Sequence, residues 1–112
     1  MSASIELQTA LAHIEALART RRLSEVRTEQ SEAGPALQVA GENFAHLADA
    51  KTLVLRCPPE QKVLLLQTSP EIYFDSDGYV GKAMVLVHLD RIGDEELALR
   101  LEDAWQYKAS SH

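Results

Sequence analysis

Hydrophobic positions recur at helical spacing at both ends of the chain and at strand spacing between them. Leu7, Leu11, Ile14 and Ala18 share one stripe of a 3.6-residue period, which predicts an amphipathic helix over 5–20 with Ser4 as N-cap and arginines at the cation-friendly C-terminal end. Val26 and Thr28 alternate with Glu25, Arg27 and Glu29, so 24–29 reads as a half-exposed strand, broken by Ser31-Glu-Ala-Gly-Pro35. Leu37 and Val39 alternate up to Gly41, a second short strand spans 43–48, and the joint Gly41-Glu42 predicts a tight hairpin.

The run Lys51-Thr-Leu-Val-Leu-Arg-Cys-Pro-Pro-Glu60 is an apolar strand that stops against two prolines. Pro59 suits a first helical position and Glu60 the positive end of the helix dipole, so 59–68 reads as a helix with Val63, Leu64 and Leu66 inward. Ser69-Pro70 ends it. A short strand over 72–74, a glycine-bearing loop over 75–82 and a strand over 83–89 follow; both faces of the last are apolar, as an interior position requires. Asp94-Glu-Glu opens a helix in which Leu97, Leu101, Ala104 and Trp105 form the stripe.

The order α-β-β-β-β-α-β-β-α predicts a single α+β domain over 1–112, an antiparallel sheet of five to six strands with helices packed on one face. Three helices do not blanket both sides of such a sheet. The face left open is the expected contact surface.

Composition adds few constraints. The 46% hydrophobic and 25% charged residues are ordinary globular values. The lone cysteine, Cys57, excludes an internal disulfide and a cysteine-based zinc site, and reads as a small buried hydrophobe. No apolar run approaches a membrane span of roughly 18 residues, and no secretory pattern opens the chain, so the cytoplasm is the expected location. The net charge of −6 opposes generic phosphate-backbone binding, but it is uneven. The first 57 residues carry 7 acidic and 6 basic groups, the remainder 10 and 5. Arg19, Arg21, Arg22 and Arg27 form the basic cluster.

Phe44-Ala-His-Leu-Ala, the Lys51–Glu60 run, Tyr79-Val-Gly-Lys-Ala-Met-Val-Leu-Val-His-Leu-Asp, and Asp94-Glu-Glu-Leu with Asp103-Ala-Trp-Gln resemble, in order and spacing, the MmcQ/YjbR-like family of small bacterial proteins. The resemblance covers about 44–108 and implies an α+β fold akin to CyaY-like and double-wing architectures, with a customary role in DNA binding. Met84 and His88 stand where relatives tend to have an aromatic residue and an arginine, and the tail after the tryptophan helix is reduced to Lys108-Ala-Ser-Ser-His. Each change removes a cation or a stacking platform. The family supplies no catalytic residues to carry over.

The remaining chemical candidates have plain structural readings. His13, His46 and His88 would need to converge to hold a metal, and nothing in their spacing demands it. Asp75-Ser-Asp-Gly78 resembles the start of a calcium loop, but Tyr79 replaces the third acidic ligand and Gly78 falls too early, which makes it a polar turn. The glycines at 78 and 81 precede a strand instead of a helix, and no activated serine or cysteine is apparent, so neither a nucleotide cradle nor nucleophilic catalysis is expected. Too few carboxylates line the first helix for an iron-binding ridge, and no cofactor is indicated.

Two functions are left. One is a weak nucleic-acid-binding module in which Arg19, Arg21, Arg22 and Arg27 meet phosphates while the open sheet face, with Gln38, Arg56 and His88, lies against DNA. The other is a protein-interaction or homodimerisation module that uses the same face without nucleic acid.

Overall fold

The computed structural model describes residues 2–31 and 34–110. Helix α1 spans Ser2–Thr20, strands β1 to β4 span Arg27–Ser31, Gly34–Val39, Glu42–Asp49 and Thr52–Arg56, helix α2 spans Pro59–Thr68, β5 and β6 span Tyr73–Phe74 and Met84–His88, and helix α3 spans Asp94–Ala109. All strand pairs are antiparallel, and the six-stranded sheet runs β1-β2-β3-β4-β6-β5. The α+β architecture and element order match the sequence pattern. No helix among the described residues is long and apolar enough to cross a membrane.

One side of the sheet carries the core. Leu37, Ala45, Leu47, Leu53, Leu55, Val85, Val87 and Tyr73 meet Ile14 and Ala18 of α1, Leu65 of α2, and Leu97, Leu101 and Ala104 of α3 in one buried cluster. Each large side chain buried there contributes about 1.5–3 kcal/mol from apolar transfer. A bulge near Phe44 turns both Phe44 and Ala45 toward this side, because Leu37 pairs with Ala45 while Gln38 pairs with Asn43. All three helices pack on this face: Gln61 of α2 bonds Asp103 of α3, and Leu65 lies in the same cluster.

The helix ends follow local chemistry. Pro59 opens α2, and Asp94, Glu95 and Glu96 occupy the positive first turn of α3. Helix α1 ends in a Schellman pattern, Leu23 N–H to Ala18 O and Arg22 N–H to Arg19 O, with Arg22 in the left-handed region at φ 58°. The linker that follows is tied to α3 by Trp105 Nε1–H, which donates to Ser24 O at 3.0 Å.

Several local expectations are corrected. Ser4 lies inside α1 and is not its cap, since nothing in Ser2-Ala3-Ser4 breaks a helix. Strand β1 runs Arg27–Ser31 in place of 24–29, with Glu25 in a positive-φ turn before it. The expected break at Ser31–Pro35 includes Glu32 and Ala33, which lie outside the described residues. The two-residue hairpin loop is Ala40-Gly41, both at positive φ, because Val39 pairs directly with Glu42. In α2 the inward residues are Lys62 and Leu65, with Leu66 partly buried, whereas Val63 and Leu64 are 53% and 57% exposed. The Lys62 ammonium finds its oxygens on the inner side: Tyr79 O at 2.8 Å, Lys82 O at 3.1 Å and Asp75 Oδ2 at 3.2 Å. That solvation outweighs the apolar pull of the adjacent residues.

Candidate nucleic-acid interface

Side chains alternate across a strand, so the neighbours of the core residues point to the face that no helix covers. Strand register lays them out in rows. The middle row reads Ala36, His46, Val54, Leu86, Phe74, each opposite the next on the adjoining strand. At one end Arg27 pairs with Gln38, Gln38 with Asn43, and Arg56 with Met84; Gln38 Nε2 donates to Asn43 Oδ1 at 2.7 Å. At the other end Thr52 pairs with His88. The Phe74 and His88 rings stack with centroids 4.1 Å apart and planes 17° apart.

The centre of this face is closed by its own rim. Ala36, Val54 and Leu86 are no more than 5% exposed, while Gln38, Asn43, Arg56, Met84, Phe74 and His88 around them are half-buried. His46 sits in the middle of β3 with its Nε2 buried and without a hydrogen-bond partner. Burial and then the Arg56 cation hold its pKa below the ordinary histidine value, so the ring is neutral near pH 7.

The basic residues separate into three groups. Arg27, Arg56 and His88 share the uncovered face with Gln38. Arg19 and Arg22 lie off it, in the last turn of α1 and the linker that leads to Arg27. Arg21 turns to the helix layer, where its Nε donates to Glu102 Oε1 at 2.8 Å. Among the described residues, Arg19, Arg22, Arg27 and Arg56 make no ion pair, whereas Arg100, Lys62 and Lys108 each hold a carboxylate.

The carboxylates are distributed differently. Glu6, Glu15, Glu60, Asp94, Glu95, Glu96, Glu102 and Asp103 lie on the helices, and Glu42 points to the helix side to meet Lys108. On the described strands of the uncovered face only Glu29 and Asp49 stand, at its margins, and Asp49 is turned to the Lys51 amide at 2.8 Å. The strands of this face thus carry few carboxylates, while Glu25 and Glu29 line a cleft with Arg27, and Glu71, Asp75 and Asp90 stand in the loops that flank β5 and β6.

The family model described as YjbR matches residues 21–107. The chain belongs to the YjbR family. No curated protein and no solved structure matches it. The YjbR match takes in all six strands, α2 and nearly all of α3, so every position of the uncovered face lies within it.

The other candidates of this YjbR chain do not converge on one centre among the described residues. His13 Nε2 lies 2.9 Å from Asp94 Oδ1, which joins α1 to α3, while His46 and His88 are on the opposite side of the sheet. No group of three metal-ligating side chains occurs among the described residues. Asp75 holds Lys62, and Tyr73 OH donates to Glu96. Cys57 is buried just past β4, and burial pushes its thiol up to about 11. A surface cleft of about 560 Å³ beside the β3–β4 turn has Glu6, Asp49 and Lys51 in its wall and no histidine, cysteine or serine. Sequence reasoning passed over Lys62 and the orphaned nitrogen of His46, the one because an ammonium beside three leucines reads as solvated, the other because its partner count depends on strand register.

Proposed function

We propose that this YjbR-family chain is a non-enzymatic nucleic-acid-binding module whose contact surface is the uncovered sheet face and its Arg27–Arg56 end. The observation that carries the reading is the distribution of charge: among the described residues, arginines without an ion pair on or beside that face, and half of the carboxylates on the helices behind it. Such an arrangement lets a chain of net charge −6 meet phosphate with arginines that hold no carboxylate among the described residues. A cytoplasmic setting belongs to the same reading. The homodimer alternative needs an accessible apolar patch on this face, and the low exposure of Ala36, Val54 and Leu86 weighs against it.

The experiment is a fluorescence-anisotropy titration with a labelled duplex and a labelled single strand at about 50 mM salt, repeated at about 200 mM. Binding that weakens with salt, with a log–log slope of about −2 to −3.5 on the duplex for two to four neutralised phosphates, is the expected result. Absence of association with either ligand at the lower salt overturns the reading.

A further inference from the structure

We propose that the nucleic acid this face prefers is an unpaired strand, its bases laid against the Phe74–His88 stack and its phosphates drawn to Arg56 and Arg27. The inference rests on the nucleic-acid reading above and specifies its substrate class.

Three observations carry it. First, the face offers an aromatic pair of defined geometry: rings 4.1 Å apart and 17° from parallel, both half-buried on the uncovered side. A stack of two rings has an outer face at each end, and a nucleobase continues it without hydrogen-bond readout. Such stacking is available to a base that has left its partner and closed to one inside a duplex.

Second, cations are few. Arg27 and Arg56 are the arginines on the face, and Arg19 and Arg22 lie beyond its edge. Duplex binding by proteins without base contacts is carried by many neutralised phosphates, which an acidic chain with this endowment lacks. Stacking adds affinity without charge, and it does so most where the cations are scarce.

Third, relief and reach suit a flexible strand. Between the arginines and the aromatic pair lie the buried Ala36, His46, Val54 and Leu86, with half-buried Met84 beside Arg56. From β1 to β5 the six strands span roughly 24 Å at about 4.8 Å per step, a length within reach of a short single-stranded segment.

The test uses the full chain with a labelled oligo(dT) of about 12 residues and the same strand annealed to its complement. The variants are Phe74→Leu, Phe74→Trp and Arg56→Gln, each first checked for native unfolding temperature. The single strand is expected to bind at least about tenfold tighter than the duplex; Phe74→Leu weakens it about five- to 50-fold with the salt slope unchanged. Phe74→Trp retains or tightens binding, and Arg56→Gln makes the slope shallower by about one. Should Phe74→Leu fold poorly, the Phe74→Trp and Arg56→Gln results decide. Equal or tighter binding of duplex, with Phe74 variants neutral, overturns this inference and leaves the broader reading standing. Silence from both oligonucleotides overturns the two together.

Discussion

Lys62 Nζ lies 3.2 Å from Asp75 Oδ2, and the same ammonium takes the carbonyl oxygens of Tyr79 and Lys82. One side chain of α2 therefore organises the whole β5–β6 loop. Replacing it by methionine keeps the apolar stem and removes the charge, which leaves two carbonyls and a carboxylate without their cation. Because Asp75 is a quarter exposed and regains water, the loss is set below the full cost of an isolated buried charge, at about 2–3 kcal/mol. Urea unfolding of Lys62→Met measures it; Asp75→Ala is expected to lose about 1 kcal/mol, since the carbonyls still hold the ammonium.

His46 makes stability depend on pH. Its folded-state pKa lies below the unfolded value of 6.5, from burial first and the neighbouring Arg56 second. Over that interval the unfolded chain binds more protons, so stability rises with pH there, is complete above the unfolded pKa, and is lost as pH falls through 6.5 toward the folded value. Ala36 and Val54, its cross-strand neighbours, offer no hydrogen bond to soften the effect. The unfolding temperature of the native chain is expected to drop between about pH 7.5 and pH 5 by more than that of His46→Leu, which removes both the titration and the orphaned nitrogen. Parallel thermal scans at the two pH values check it, and identical drops in both proteins refute it.

Cys57 is expected to be inert. Its thiol, pushed up to about 11 by burial against the weaker opposing pull of Lys62, stays protonated at pH 8. Labelling by a thiol-specific reagent is expected to follow global unfolding, so that the reaction is slow in buffer and immediate in denaturant. Rapid stoichiometric labelling of the folded chain contradicts this.

Two turn positions have opposite tolerances. Ala40 sits at φ 54° in a two-residue hairpin loop, where its Cβ is strained and glycine is not; Ala40→Gly is expected to add about 0.5–1 kcal/mol. Gly34 also has positive φ, 124°, but a Cβ there comes within 2.2 Å of Leu47 O, a backbone atom in the adjoining strand. Gly34→Ala is expected to lose more than about 2 kcal/mol and to loosen the β2–β3 pairing. Chemical denaturation of both variants distinguishes strain at the residue itself from collision with a neighbour.

Which parts of the molecule were legible follows from the range of the forces involved. The stripe Leu7, Leu11, Ile14, Ala18 and the doubly apolar run at β6 are local patterns, and both elements formed as their periods require. The uncovered face with Gln38, Arg56 and His88 was legible because alternation alone fixes which side a strand residue takes. The burying of Lys62 was not, since the oxygens that stabilise it come from a loop at a distance in sequence. Nor was the departure of Arg21 from its neighbours, which depends on Glu102 being brought beside α1 by helix packing. The hairpin was displaced by one residue because Ala40 accepts a conformation for which glycine is the usual signal.

Arg22 joins stability to the proposed function in a single position. It occupies the left-handed site of the Schellman turn at φ 58°, where glycine carries no Cβ penalty. Glycine there is expected to raise stability by about 0.5–1 kcal/mol, because among the described residues Arg22 holds no ion pair to lose with the side chain. If the cation serves phosphate binding, the same variant loses one neutralised phosphate, and its salt slope becomes shallower by about one. Unfolding and anisotropy measurements on Arg22→Gly thus read two opposite effects from one change. A variant that gains stability and keeps its full salt slope shows that the arginine takes no part in binding, and restricts the contact surface to Arg27, Arg56 and the sheet face.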